Sequence, residues 1–225
     1  MQDSLQQISL WILPILVAVV FHEVAHGYVA NWLGDPTAAL RGRLTLNPLA
    51  HVDPIGTVIV PLFLLVSGSG LLFGWAKPVP VNYQNLGNPR RDMVLVAAAG
   101  PLTNLVIAVG AAVALRVLLS TSGDGAGTIA RSVVHPLALM AFAGVQMNVF
   151  LGVFNLLPIP PLDGGRVLTG LLPVALARRF QRIEPFGFLV LIALLMTNSL
   201  GVFLHAPIQL LLSILLPPFR ASHGG

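Results

Sequence analysis

Four long apolar runs, residues 8–33, 93–119, 133–157 and 186–204, constrain this chain more than anything else in it. A helix of roughly 20 residues crosses a hydrocarbon layer about 30 Å thick, so each run predicts a membrane-spanning helix. Charge agrees: 9% of the 225 residues are charged, against about 25% in an ordinary soluble domain. The largest polar interval, residues 34–52, is too short to fold alone. The expectation is an all-α polytopic protein of the cell membrane. It is a single integral-membrane domain over residues 1–220, a bundle of four to six transmembrane helices in the lipid bilayer, with a disordered tail at 221–225.

Two segments decide the topology. Residues 55–73 are long enough to span but contain Gly56, Pro61, Gly68 and Gly70, which favours a re-entrant element buried against protein. Residues 206–216 are too short to span and read as a half-helix or a surface helix. Within residues 40–47, Leu40, Leu44 and Leu46 alternate with Arg41, Arg43 and Thr45; this predicts a short membrane-associated strand, which Pro48 confines to an edge. With 55–73 re-entrant, nine of the twelve basic residues collect on one side, Arg116 and Arg131 lie on the other, and the N-terminus is outside. The net charge of +4 then reports topology and not nucleic-acid binding. Residues 120–128 read as a Gly/Ser-rich connection. The first run lacks a basic leader and contains His22 and Glu23, so it is expected to stay in the mature chain. Small residues at 97–100 and 110–112 predict close helix contacts, and Asn104 and Asn148 predict interhelical hydrogen bonds. Trp32 and Trp75 suit interface anchors.

The chemistry concentrates in His22-Glu23-Val24-Ala25-His26, inside the first run. Two imidazoles four residues apart share one helical face, and the Glu beside them can take a proton from a water at a shared metal. Ionisable residues at membrane depth are costly and mark function, and three fall here within five positions. With no cysteine in the chain, any metal must rely on His, Asp or Glu.

A catalytic zinc takes three protein ligands and keeps one position open, so a third ligand is required. Ten positions after His22 stands Trp32, not a His. Glu184 sits in a polar stretch that suits a solvated charge, and Asp35 and Asp53, each before a proline, suit turns, with His51 close by. Asp163 is the strongest candidate. It follows Asn155 and the helix-breaking Pro158, Pro160 and Pro161, and broken backbone at membrane depth belongs where it lines a protein-enclosed cavity. Taken alone, Asp163-Gly164-Gly165 serves equally well as a turn.

With these residues in order, the sequence resembles the site-2 protease family of intramembrane zinc metalloproteases. The resemblance rests on His22-Glu23-x-x-His26, Ala99-Gly100-Pro101-Leu102-x-Asn104 and Asn155-x-x-Pro158-x-x-x-Leu162-Asp163-Gly164. It implies one zinc per chain held by His22, His26 and Asp163, with Glu23 as general base and Asn155 assisting substrate binding or the oxyanion. It also implies transmembrane proteins or peptides as substrates, and a minimal prokaryotic form without the PDZ or CBS domains of some relatives. Two other classes use parts of the same pattern. A proton- or metal-coupled transporter would use intramembrane His and Asp but has no need of Glu23. A catalytically silent scaffold would have no need of the intact set.

Overall fold

A computed structural model describes residues 2–67, 74–121, 130–197 and 199–216. Three of its helices are long and apolar enough to cross a membrane, Leu10–Trp32, Pro89–Ser120 and Ser132–Asn155, and a bent pair near the C-terminus supplies a fourth if counted as one span. In chain order the α-helices are α1 (Gln2–Trp32), α2 (Thr37–Leu40), α3 (Val60–Val66), α4 (Pro89–Ser120), α5 (His135–Asn155), α6 (Asp163–Leu171), α7 (Val174–Gln181), α8 (Gly187–Met196) and α9 (Ser199–Leu215). The all-α polytopic architecture is as expected. The predicted tail and most of the 120–128 connection lie outside the described residues.

Local chemistry sets the helix ends. α1 stops where Gly34 takes a left-handed φ of 111° and the Asp35 N–H returns to Ala30 O at 2.8 Å. α4 begins four residues earlier than its apolar run. The Asn88 side chain accepts from Arg91 N–H, Pro89 fills the first helical position, and the Asp92 carboxylate accepts from Asn88 N–H at 2.7 Å. Polar capping extends the helix beyond what hydrophobicity marks.

The fourth apolar run is not one helix. It breaks after Met196, and the flanking helices meet at 81°. The Thr197 hydroxyl donates back to Ala193 O at 2.9 Å, closing the end of α8. Residues 206–216 correspondingly fall mostly in the longer α9 rather than forming a separate half-helix. α9 packs Ile208, Leu211, Leu212 and Leu215 against Ala108 and Ala112 of α4 and Val145 and Val149 of α5. Arg116 caps its C-terminal carbonyls, donating to Ile214 O and Leu215 O.

The expected strand at 40–47 is absent among the described residues. Leu40 ends α2, Gly42 turns the chain at φ 62°, and Leu40 and Leu46 are exposed. The stretch is tied down through side chains instead of a ladder: Arg43 donates to Lys77 O at 2.8 Å, and His51 Nε2–H donates to Thr45 O at 2.9 Å. Alternating Leu and Arg here reflects one contact, Leu44 against Gly27, rather than a two-faced strand.

Residues 54–66 form a π-helical turn, capped by the Asp53 carboxylate, that runs into α3. The chain then returns to its starting point: Trp75 N–H donates to Gly56 O at 3.1 Å, and Lys77 N–H donates to His51 O at 2.9 Å. Trp75 lies flat against Gly56, where a Cβ would meet the indole at 2.3 Å. Gly56 and Trp75 are therefore adjacent, as the expected re-entrant hairpin requires.

α1, α4 and α5 alternate in direction. Ala18 and His26 of α1 face Asn104 and Val96 of α4, and Asn148 and Gly152 of α5 face Asn104 and Pro101. The loop after α1, the N-terminus of α4 and the chain after α5 thus share one end of the bundle. At that end Arg90 Nε–H donates to Gly170 O at 3.0 Å, and its Nη2–H to Leu172 O, docking α6 onto α4. In this cysteine-free chain, Arg41→Cys, Lys77→Cys and Arg91→Cys should react with an impermeant thiol reagent from one side of the membrane and Thr121→Cys from the other; Lys77→Cys labelling with Thr121→Cys would contradict the hairpin.

Candidate metal centre

On α1, Ala18, His22 and His26 recur every four residues and form one stripe. α4 faces it with a matching stripe, Val96, Gly100 and Asn104. The hydrogen bonds between them determine where every proton must be. Asn148 Nδ2–H donates to Gly144 O at 2.9 Å, which makes Asn148 Oδ1 an acceptor. Asn104 Nδ2–H donates to that oxygen and to Ala18 O, each at 2.9 Å, leaving Asn104 Oδ1 to accept. His22 Nδ1–H donates to Asn104 Oδ1 at 2.7 Å, and His26 Nδ1–H donates to Val96 O, also at 2.7 Å. A backbone carbonyl can only accept, so each ring carries a proton on Nδ1 and, when neutral, presents a bare Nε2.

Those two Nε2 atoms lie 3.1 Å apart, and Asp163 Oδ2 lies 3.1 Å from one and 3.3 Å from the other. All three residues are buried, and Asp163 Oδ2 is buried with no hydrogen-bond partner. Two imidazole nitrogens and a carboxylate oxygen thus converge on one buried point, a donor set that could hold a cation. Spacing agrees with zinc: tetrahedral bonds of about 2.0–2.1 Å put ligand atoms about 3.3–3.4 Å apart. Nitrogen and carboxylate oxygen are suitable donors, and the Nδ1 bonds supply the orienting contacts such ligands require.

Asp163 arrives from another direction. It is the first residue of α6, where the helix N-terminus favours a carboxylate, and Arg166 one turn on places its Nη1 3.9 Å from Oδ1. Asp163-Gly164-Gly165 is thus a helix start and not a turn. The glycines are steric: a Cβ on Gly164 would fall 2.2 Å from Leu156 O, and one on Gly165 2.8 Å from Pro160 N. The proline-broken segment folds directly over the first turn of α6 and delivers the carboxylate to the imidazoles.

The other candidate ligands are engaged elsewhere. Asp35 accepts from Thr37, Asn82 and Asn85; burial opposes its charge, but these bonds outweigh it and hold its pKa below the usual carboxylate value. Asp53 caps the turn at 54–59, His51 bonds Thr45 O, and Glu184 is exposed. Trp75, read as an interface anchor, lines the site cavity and meets Phe188 edge to face at 5.9 Å. That cavity, 690 Å³, reaches His22, Glu23, His26, Asn155, Asp163 and Arg166. Glu23 accepts from Val79 N–H at 2.8 Å, and Asn155 donates one amide hydrogen to Leu151 O at 3.0 Å. Val96, Val79 and Arg166 carry no sequence motif of their own. The four-residue stripe through Gly100 and Asn104 is the signal that could have found Val96.

A profile of peptidase family M50 matches residues 120–198, the part that holds Asn155 and Asp163. The chain is 39% identical over 188 residues to the provisionally named zinc metalloprotease YwhC of Bacillus subtilis, covering 83% of this chain and 80% of that protein. It is 30% identical to the provisionally named zinc metalloprotease Rip2 of Mycolicibacterium smegmatis, covering 88% and 71%, and 31% identical to Rip2 of Mycobacterium tuberculosis, covering 83% and 66%. No solved structure matches. Gly100 gives the site a sharp test, because a Cβ there would lie 2.4 Å from His26 Nε2 and 2.7 Å from His22 Cε1. Gly100→Ala should weaken metal retention about 10- to 100-fold in competition with a chelator. Gly110→Ala, whose Cβ would meet nothing within 4 Å despite its place in a small-residue cluster, should leave it unchanged.

Proposed function

This chain belongs to peptidase family M50, the site-2 protease family of zinc metalloproteases, and on that premise we propose that it hydrolyses peptide bonds within or beside transmembrane segments of other membrane proteins. The observation that carries the reading is the convergence of His22, His26 and Asp163 beside Glu23 in one cavity walled by apolar helices. The same reading makes the chain a multi-pass protein of a prokaryotic cell membrane, one metalloprotease domain over residues 1–220 holding one zinc.

In this assignment His22, His26 and Asp163 hold the metal, which when bound supplies Lewis acidity towards the peptide carbonyl and a water molecule. Glu23 takes a proton from the attacking water and returns it to the departing amine nitrogen. Asn155 lines the cavity with one amide hydrogen committed to Leu151 O, and its second N–H is free to bond the carbonyl oxygen as charge develops there. A substrate helix hides its carbonyls in hydrogen bonds, so it must unwind before cleavage. The unwound chain is assigned to segment 75–81, because Trp75, Ala76, Pro78, Val79 and Val81 border the cavity.

A proton- or metal-coupled transporter would use the same His and Asp residues but gives Glu23 no task, and the relatives carry the names of metalloproteases. Purified Glu23→Gln should keep about one zinc per chain and cleave a model transmembrane peptide at least about 100-fold more slowly than wild type. Asp163→Ala should lose zinc, while Asp53→Ala and Glu184→Ala retain it. Equal cleavage by Glu23→Gln would remove Glu23 as the base.

A further inference from the structure

Glu23 is held from outside its own helix. Its Oε2 accepts from Val79 N–H at 2.8 Å. Val79 lies between Pro78 and Pro80, so its amide is the only backbone donor in those three residues, and it is spent on Glu23. Each proline fixes its own φ and pushes the residue before it towards extended backbone, so the segment is stiff and transmits the position of its ends.

One end is anchored at Lys77, whose N–H donates to His51 O at 2.9 Å and whose carbonyl accepts from Arg43 at 2.8 Å. The other end is anchored by Asp35. This carboxylate is wholly buried. Its Oδ2 accepts from Asn82 N–H at 2.7 Å, and its Oδ1 accepts from Asn85 Nδ2–H at 2.9 Å, Thr37 N–H at 3.1 Å and the Thr37 hydroxyl. Asn82 is three residues beyond Val79. Asp35 itself is fixed to the end of α1 by its N–H bond to Ala30 O, and Gly87 N–H adds a bond to Leu33 O at 3.1 Å. Leu86 packs with Ala30 and Val96, and Val81 and Tyr83 pack against that cluster.

We propose that Asp35 is a positioning residue for Glu23: it latches segment 79–85 to the end of α1, so that the Val79 amide orients the carboxylate beside the metal centre. The latch closes a loop in space, because Glu23 and Asp35 belong to α1 and its terminus and the Pro-Val-Pro segment bridges them. Asp35 touches neither the metal ligands nor the cavity. It acts on turnover through Asn82, Val79 and Glu23 in sequence. The proposal rests on the reading of Glu23 as general base.

Asp35→Asn keeps the shape but puts an N–H against at least one of the donors that Asp35 now accepts. In the full-length protein in detergent, it should retain wild-type zinc content and KM for a transmembrane peptide while kcat falls about tenfold or more, the size expected for a lost bond to a charged group. Asp35→Asn/Asn85→Asp, which carries the negative charge across the same contact, should recover most of that loss. A purely structural role would instead lower the zinc-loaded fraction, with no split between kcat and KM. Replacing Val79 by its α-hydroxy acid analogue removes only the N–H, and it should lower kcat to a similar extent even if Asp35→Asn fails to fold. Val79 ester protein with full zinc and kcat within about twofold of wild type overturns the proposal. Wild-type cleavage by Glu23→Gln would remove the base reading itself. An inactive Glu23→Gln beside an unaffected Val79 ester would leave that reading standing and remove the latch.

Discussion

The structure depends on one set of hydrogen bonds, those that α4 makes to the imidazoles of α1. Asn104 and the Val96 carbonyl take the Nδ1 protons, so the opposite nitrogens face Asp163 as bare acceptors. In a low-dielectric interior a bound cation would stabilise such a grouping. The helix packing and the orientation of both imidazoles towards Asp163 are thus one fact. Removing Asn104 would release His22 and leave Asn148 Oδ1 without its donor, at about 1–3 kcal/mol for an unsatisfied buried group.

Steric economy brings the third ligand in. Gly100 lets α4 approach the imidazoles, and Gly164 and Gly165 let the proline-broken chain after α5 fold onto α6. Without side chains at these three places, two helices and a helix start meet within hydrogen-bonding distance. The segment between α3 and α4 then borders the site, carrying Trp75 and Val79 to the cavity. On the proposed reading, a peptidase working in lipid would have to hold water and a metal among apolar walls. Here the polar atoms come from α1, α6 and the segment before α4, and α1, α4 and α5 are apolar helices.

Much of this was legible in the residues. The two His and the Glu announce themselves because ionisable groups in an apolar helix have few other reasons to be there, whereas the small residues at 97–100 and Asn104 read only as helix-packing and interhelical hydrogen-bonding positions. Asp163 was legible as a ligand candidate but not as a helix start, since a D-G-G sequence looks the same in both settings until the chain above it is placed. The strand at 40–47 was misread because alternation records which side chains are apolar, not which are buried: Leu44 packs, while Leu40 and Leu46 do not. The break after Met196 escaped notice because hydropathy runs on through it, and a hydroxyl bonding its own helix leaves no apolar signature. Val79 could not be seen at all, and Val96 only as the end of the four-residue stripe through Gly100 and Asn104. They act through backbone atoms, which every residue has.

The central claim is that His22, His26 and Asp163 bind one metal together. Zinc K-edge X-ray absorption of the purified protein tests it most directly. The account predicts nitrogen and oxygen donors at about 2.0–2.1 Å, outer-shell scattering from two imidazoles, and loss of one light donor or of the zinc itself in Asp163→Ala. Zinc without imidazole scattering, or a spectrum that Asp163→Ala leaves unchanged, would contradict it.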